Sequence, residues 1–420
     1  MSDTIHVNGC SCSRRDFLRK GLYGLGISAG LPAVLQNTSV ALAAESLLGS
    51  DEAHPERILV VVELSGGNDG LNTVVPYGDD EYYRVRPRIG IPESDLLKID
   101  DHFAFHPSLK GFEQVYKDGD MAVIHGCGYD NPSLSHFASM GFWHSGLPHS
   151  GDKFGWVGRL ADEHFPHAPS NLIVNIGNAQ SMAVRSGVHT PLVFNNPMSF
   201  RRDGTDAQHD AFGHLNRAKS TDNPALEFLS NVAENGAESS ELVRDIFAGY
   251  RSSVDYGVVA GLGGDLRKVA ALIHAEMPTR LYYVSYQGNA FDTHVHQGDL
   301  HTRLLMYTAD AIRGFMQDVE RIGRADDVAI MMFTEFGRRV EENASLGTDH
   351  GTATPMFLAG KGVKGGLYGT PPSLTELDDG NLIKTTDFRE VYATVIEEWM
   401  GHAESAGILK GEFPTLGTFT

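Results

Sequence analysis

The chain has 420 residues, with 54 acidic against 34 basic side chains, a formal charge of −20 and 41% hydrophobic residues. A chain this acidic repels nucleic acid and anionic lipid over most of its surface, so neither is expected as a partner. Its three cysteines, Cys10, Cys12 and Cys127, exclude a four-cysteine zinc or iron–sulfur site, so any metal must rest mainly on Asp, Glu and His.

Residues 1–43 read as an export leader. Ser13-Arg14-Arg15-Asp16-Phe17-Leu18 has the twin-arginine pattern, Gly21–Leu35 is a weakly apolar run broken by Pro32, and Ala41-Leu42-Ala43 is a small-x-small cleavage site. This order predicts passage through the Tat translocase to the periplasm or beyond. Loss of four basic and two acidic residues takes the formal charge from −20 to −22. The competing reading is a cytoplasmic protein with a chance Arg-Arg pair. No later stretch approaches the roughly 18 apolar residues of a membrane span, so the mature chain is expected to have none.

Residues 44–420 then alternate between two patterns. Largely apolar runs at 57–64, 120–127, 171–177, 279–287, 327–333 and 355–359 read as buried strands. Helical patterns lie at 109–116, 135–144, 224–250, 264–276, 298–322 and 387–400. Buried strands alternating with helices predict an α/β fold, a mostly parallel central sheet with helices on both faces. Pro191–Ala225, rich in Asn, Asp, Arg and Gly, reads as an irregular insertion, a lid or a flap.

In such sheets ligands collect at the carboxyl ends of the strands. Asp69 follows the first strand, Asp292, His294 and His296 follow the fourth, and Glu335 follows the fifth; His350 is the exception, standing just before a strand. In "FDTHVHQ" (291–297), Asp292 and His296 share a face whether the segment is extended or helical, whereas His294 joins them only if it is extended. Carboxylate with imidazole suits Zn²⁺ or Mn²⁺. The plainer alternative is a loop whose histidines cap neighbouring backbone. His106, His125 and His144 show no partner pattern and read as structural.

The stretches "VVVELSGGNDGLNTVVPY", "SHFASMGFWHSG", "FDTHVHQ", "FTEFGRRVEENASLGTDHGTATPMFLAGKGVKGGLYG" and "TTDFREVYATVIEEWMG" resemble the DUF1501 family, a group without an assigned activity. The family is similar to the alkaline phosphatase-like superfamily of phosphatases and sulfatases. That resemblance implies an alkaline phosphatase-like domain over 44–420 and divalent metal (Zn, Mn, Ca or Mg) at the strand ends. It implies that Asp292, His296 and His350 hold one ion, and that Asp69 and Glu335 contribute to a second. Phe336 stands where an imidazole ligand would be expected, and a second alignment pairs Asp349 with His350 instead.

The resemblance also implies a nucleophile. Ser135 is the choice, with Ser133 or metal-bound water as alternatives; helix capping explains a serine there equally well. His136 reads as an ordinary helix residue, with an acid–base role as the other option. Arg338 is a candidate clamp for an anionic ester or, equally, a salt-bridge residue. Two functions follow as expectations: an exported metal-dependent hydrolase of phosphate or sulfate esters, or a non-catalytic periplasmic binding protein on the same fold.

Overall fold

The computed structural model describes residues 5–7, 10–12, 56–200 and 224–420 except 259 and 287, with a few positions between 204 and 214. The leader therefore lies outside the described residues, apart from Ile5–Val7 and Cys10–Cys12, which pair antiparallel. Most of the expected insertion, 201–223, also lies outside them. Among the described residues no helix is long and apolar enough to cross a membrane.

The main sheet is built from Ile58–Glu63 (β1), Met121–Gly128 (β2), Ile173–Ile176 (β3), Leu192–Phe194 (β4), Leu281–Ser285 (β5), Val328–Phe333 (β6), Thr354–Ala359 (β7), Gly366–Tyr368 (β8) and Thr386–Asp387 (β9). Their spatial order is β8-β2-β7-β6-β1-β5-β3-β4, with β9 also beside β2. Every residue of β1 is buried, as a strand covered on both faces requires. Its side chains alternate: Val60 and Val62 enter one core, Leu59 and Val61 the other.

The helices are Asp80–Val85 (α1), Lys110–Lys117 (α2), His136–Ser145 (α3), Trp156–His164 (α4), Pro224–Gly249 (α5), Leu262–His274 (α6), Gln297–Arg321 (α7), Phe388–Thr394 (α8) and Ala406–Leu409 (α9). One face of the sheet carries α2, α6 and α7 through Phe112, Leu266, Val269, Leu304 and Ile312. The other carries α3, α4 and α8 through Trp143, Trp156, Leu160 and Val391. The fold is thus α/β with a mostly parallel sheet between helices.

One sequence expectation needs refining, and one strand departs from the mostly parallel order. The expected irregular insertion begins with a strand, β4, parallel to β3 at the sheet edge. And β7 runs antiparallel to both neighbours, β6 and β2. This reversal accounts for His350. Thr354, the first residue of β7, pairs with Cys127 near the end of β2. The approach to β7 therefore lies at the same sheet edge as the ends of β1, β5 and β6, where Glu63 pairs with Ser285 and Phe333. A residue that precedes a strand in sequence here stands among residues that follow strands.

Candidate metal centre

The site starts from the turn after β1. Gly66 and Gly67 have φ of +120° and +74°, and a Cβ on Gly67 would stand 2.3 Å from the Phe336 ring. Only glycine meets both demands without strain. The turn points the N–H groups of Gly66 and Gly67 at the Glu335 carboxylate, at 2.9–3.0 Å. Glu335 is fully buried, two residues past the end of β6. Its Oε1 holds His136 Nδ1 at 2.7 Å. A carboxylate oxygen accepts, so Nδ1 of His136 donates to Glu335, and in the neutral ring Nε2 is left with a lone pair. The same hydrogen bond raises the His136 pKa.

His136 Nε2 is buried without a hydrogen-bond partner, and 3.3 Å from it stands Asp292 Oδ2. His350 repeats the arrangement from the other side. Its Nδ1 donates to the Leu134 carbonyl at 2.7 Å, and its Nε2 faces Asp292 Oδ1 at 3.1 Å. Burial lowers the His350 pKa, so its neutral Nε2 also offers a lone pair. Two imidazole lone pairs thus face one carboxylate, with their ligand atoms within 4.8 Å of one another. Acceptors crowded this way call for a cation or extra protons between them. Two imidazoles and a carboxylate, each imidazole fixed through its other nitrogen, fit a divalent ion of the zinc or manganese kind.

Arg338 supports the cluster from beneath. Its guanidinium is buried, donates to the carbonyls of Gly66, Gly67, Phe291 and Thr348, and reaches Asp292 Oδ1 at 2.8 Å. Burial pushes the Asp292 carboxyl up, but the hydrogen bond and positive charge of Arg338 outweigh it and hold the pKa at about 2. Phe336 packs its ring against both imidazoles, with centroids 4.9 Å from His136 and 4.7 Å from His350. His136, Asp292 and His350 keep 21%, 30% and 22% of their side-chain surface, so the cluster lies near the surface although His136 Nε2 itself is covered.

The sequence-predicted residues divide accordingly. Asp292 and His350 meet, though 58 positions apart. His296 does not join them: it is exposed, and a left-handed backbone (φ +45°) reverses the chain just before α7. His294 takes the near position instead, with Nε2 3.0 Å from Asp292 Oδ1 and 2.9 Å from His350 Nε2. Asp69 is fully buried and bound to Arg86 at 2.6 Å, Gln297 and the Asn72 N–H, which leaves it no free direction toward the cluster. Glu335 lies behind His136, as its orienting partner. Arg338 is committed to backbone carbonyls and Asp292 and has no fork open to a ligand. Ser135 is exposed at the N-cap of α3 and makes no side-chain cap bond. His136, read from sequence as an ordinary helix residue, stands inside the cluster; the only signal for it was its place in the first turn of a helix after a strand end.

No curated protein matches the chain. Among solved structures it is similar to a protein of the alkaline phosphatase superfamily from Vibrio parahaemolyticus, at 10% identity and TM-score 0.41, covering 96% of this chain and 78% of that one. It is similar to a sulfatase from Pseudoalteromonas at 12% identity and TM-score 0.38, covering 86% and 71%. The C-terminal periplasmic domain of EcEptC from Escherichia coli matches at 11% identity and TM-score 0.37, covering 86% of each. The family described as "Protein of unknown function (DUF1501)" matches residues 56–396, the whole span from the start of β1 to beyond α8, and the chain belongs to that family.

Proposed function

We propose that the protein is an exported, metal-dependent hydrolase of anionic esters, phosphate or sulfate, acting at His136, Asp292 and His350. The observation that supports this most is the pair of imidazole lone pairs facing the Asp292 carboxylate. A divalent ion there would supply positive charge against the ester oxygens as they become more anionic. The chain's own residues do the rest. Glu335 and the Leu134 carbonyl hold the two imidazoles in one tautomer. Arg338 keeps Asp292 ionised, and Phe336 shields one side of both rings from water. Ser135, one residue before His136 and at the N-terminus of α3, is the proposed nucleophile, placed where backbone N–H groups favour an attacked anion. Export by the Tat route through residues 1–43 belongs to the same proposal.

One observation favours binding without turnover. Asp69, Glu335 and Arg338 are all engaged within the protein, so the donors gathered here suffice for one ion and no arginine is open to clamp the ester.

The test is a panel of phosphate and sulfate esters offered to purified protein with Zn²⁺, Mn²⁺, Ca²⁺ or Mg²⁺. Turnover that needs the ion and disappears in His350→Ala supports the hydrolase. Ser135→Ala should then nearly abolish turnover while metal content stays intact. Absence of turnover with every ion, alongside tight metal binding, selects the binding protein.

A further inference from the structure

Beside the three donors lies a cleft of about 750 Å³, a size suited to a small organic ligand. His136 and Glu335 form part of its wall, so the cleft opens directly from the candidate centre. Phe137, Ala138, Met140, Phe142, Leu147 and Met182 give it an apolar side, alongside the polar Ser65, His144, Ser145, Asp152 and Asn289. Among the described residues no lysine or arginine lines it, and Asp152 is the one carboxylate besides Glu335.

Phe137 follows His136 directly and is 93% exposed. Single exposed apolar residues are ordinary. A phenyl ring at the rim of an apolar cleft, one residue from a candidate metal donor and almost uncovered by the described residues, is placed to meet a ligand. His144 also lines the cleft. Eight residues along α3 set it roughly 12 Å from His136 along the helix axis. Its Nε2 is held by Glu63 at 2.8 Å and by the Tyr283 hydroxyl at 2.9 Å, so that nitrogen is not free to recognise a polar group.

We infer that this cleft is the subsite for the alcohol side of the ester, and that this side is uncharged and apolar, an aryl ring or alkyl chain. The inference rests on the hydrolase reading above. An anionic group seated at His136, Asp292 and His350 must send its ester substituent somewhere, and the adjoining wall rewards apolar burial. The wall has no cation to pair a second phosphate. Of its hydroxyls, Ser65 is bonded to Asn289 and Ser145 to the Phe142 carbonyl, which leaves few donors for a sugar, whose desolvation would go largely uncompensated. Phe137 and Met140 are the specificity-determining residues.

The test compares methylphosphonate with hexylphosphonate, non-hydrolysable anions that differ only in the apolar chain. Binding to Zn²⁺- or Mn²⁺-loaded protein is measured by calorimetry. Hexylphosphonate should bind at least about tenfold tighter, since each buried methylene adds to affinity. In Phe137→Ser combined with Met140→Gln that preference should shrink to about threefold or less, with methylphosphonate affinity unchanged. Phe137→Ser alone, at a side chain outside the core, gives the same direction of change if the double variant fails to fold. Equal affinity for the two anions, both lost in His350→Ala, overturns the apolar subsite and leaves the metal-centred hydrolase standing. Failure of both anions to bind in every metal form overturns the hydrolase reading and the subsite with it.

Discussion

His136 shows how a residue's role is set by what its neighbours accept. Glu335 is fully buried, receives two backbone N–H groups and accepts from His136 Nδ1, which fixes how that ring is turned. Glu335→Gln should therefore weaken metal binding about 10–100-fold without removing a ligand, the usual cost of losing an orienting partner. Calorimetric titration with Zn²⁺ measures this; unchanged affinity would mean that Glu335 does not orient the ring. Asp292 and His350 were legible in the sequence because acids and histidines beside strand ends are read directly. His136 was not, since its partner Glu335 lies 199 positions away. His296 was chosen over His294 because both periodicities allowed it. The left-handed residue that turns it outward leaves no mark in the apolar pattern.

At the scale of elements, the turn after β1 and the segment after β6 form one construction. Arg86, buried at the end of α1, bonds Asp69 of that turn and the carbonyls of Arg339 and Val340. Breaking a buried pair leaves an uncompensated charge, so Arg86→Ala should cost about 3–5 kcal/mol in urea unfolding. A cost within about 0.5 kcal/mol, the range of surface substitutions, would deny the pair this role. Gly67→Ala forces a Cβ into Phe336, which itself packs on both imidazoles. It should lower both stability and metal affinity. Metal affinity unchanged at reduced stability would show that Phe336 does not transmit the shift. The strands themselves were legible from their apolar runs. The direction of β7 was not, because a short apolar run reads the same both ways, and that direction decides that His350 reaches the site.

For the molecule as a whole, buried neutral histidines set the response to acid. Burial lowers the pKa of His125 and His106 to about 4 and of His301 to about 3. The unfolded chain takes up these protons near pH 6.5, so between about 6.5 and 4 it binds more protons than the folded one. Stability is full above that window, falls as the pH drops through it and levels off below for each group as its folded pKa is passed. His136, with its pKa raised, contributes in the opposite sense. His125 is buried against Phe103 and its Nε2 has no hydrogen-bond partner. His125→Phe should keep stability at pH 7 and flatten the decline toward pH 4, read from urea midpoints. An equally steep decline would show that His125 does not titrate this way. The layered α/β architecture could be read from alternating strand and helix patterns. The assembly of the site could not, because it depends on three segments that meet only once the sheet is formed.

The central claim is that one divalent ion is held by His136, Asp292 and His350. Titration of chelator-treated protein with Zn²⁺ or Mn²⁺, followed by elemental analysis, tests it most directly. One tight ion per chain is expected, lost in His136→Ala and in His350→Ala and retained in His296→Ala. An ion that survives His136→Ala but is lost in His296→Ala would contradict it.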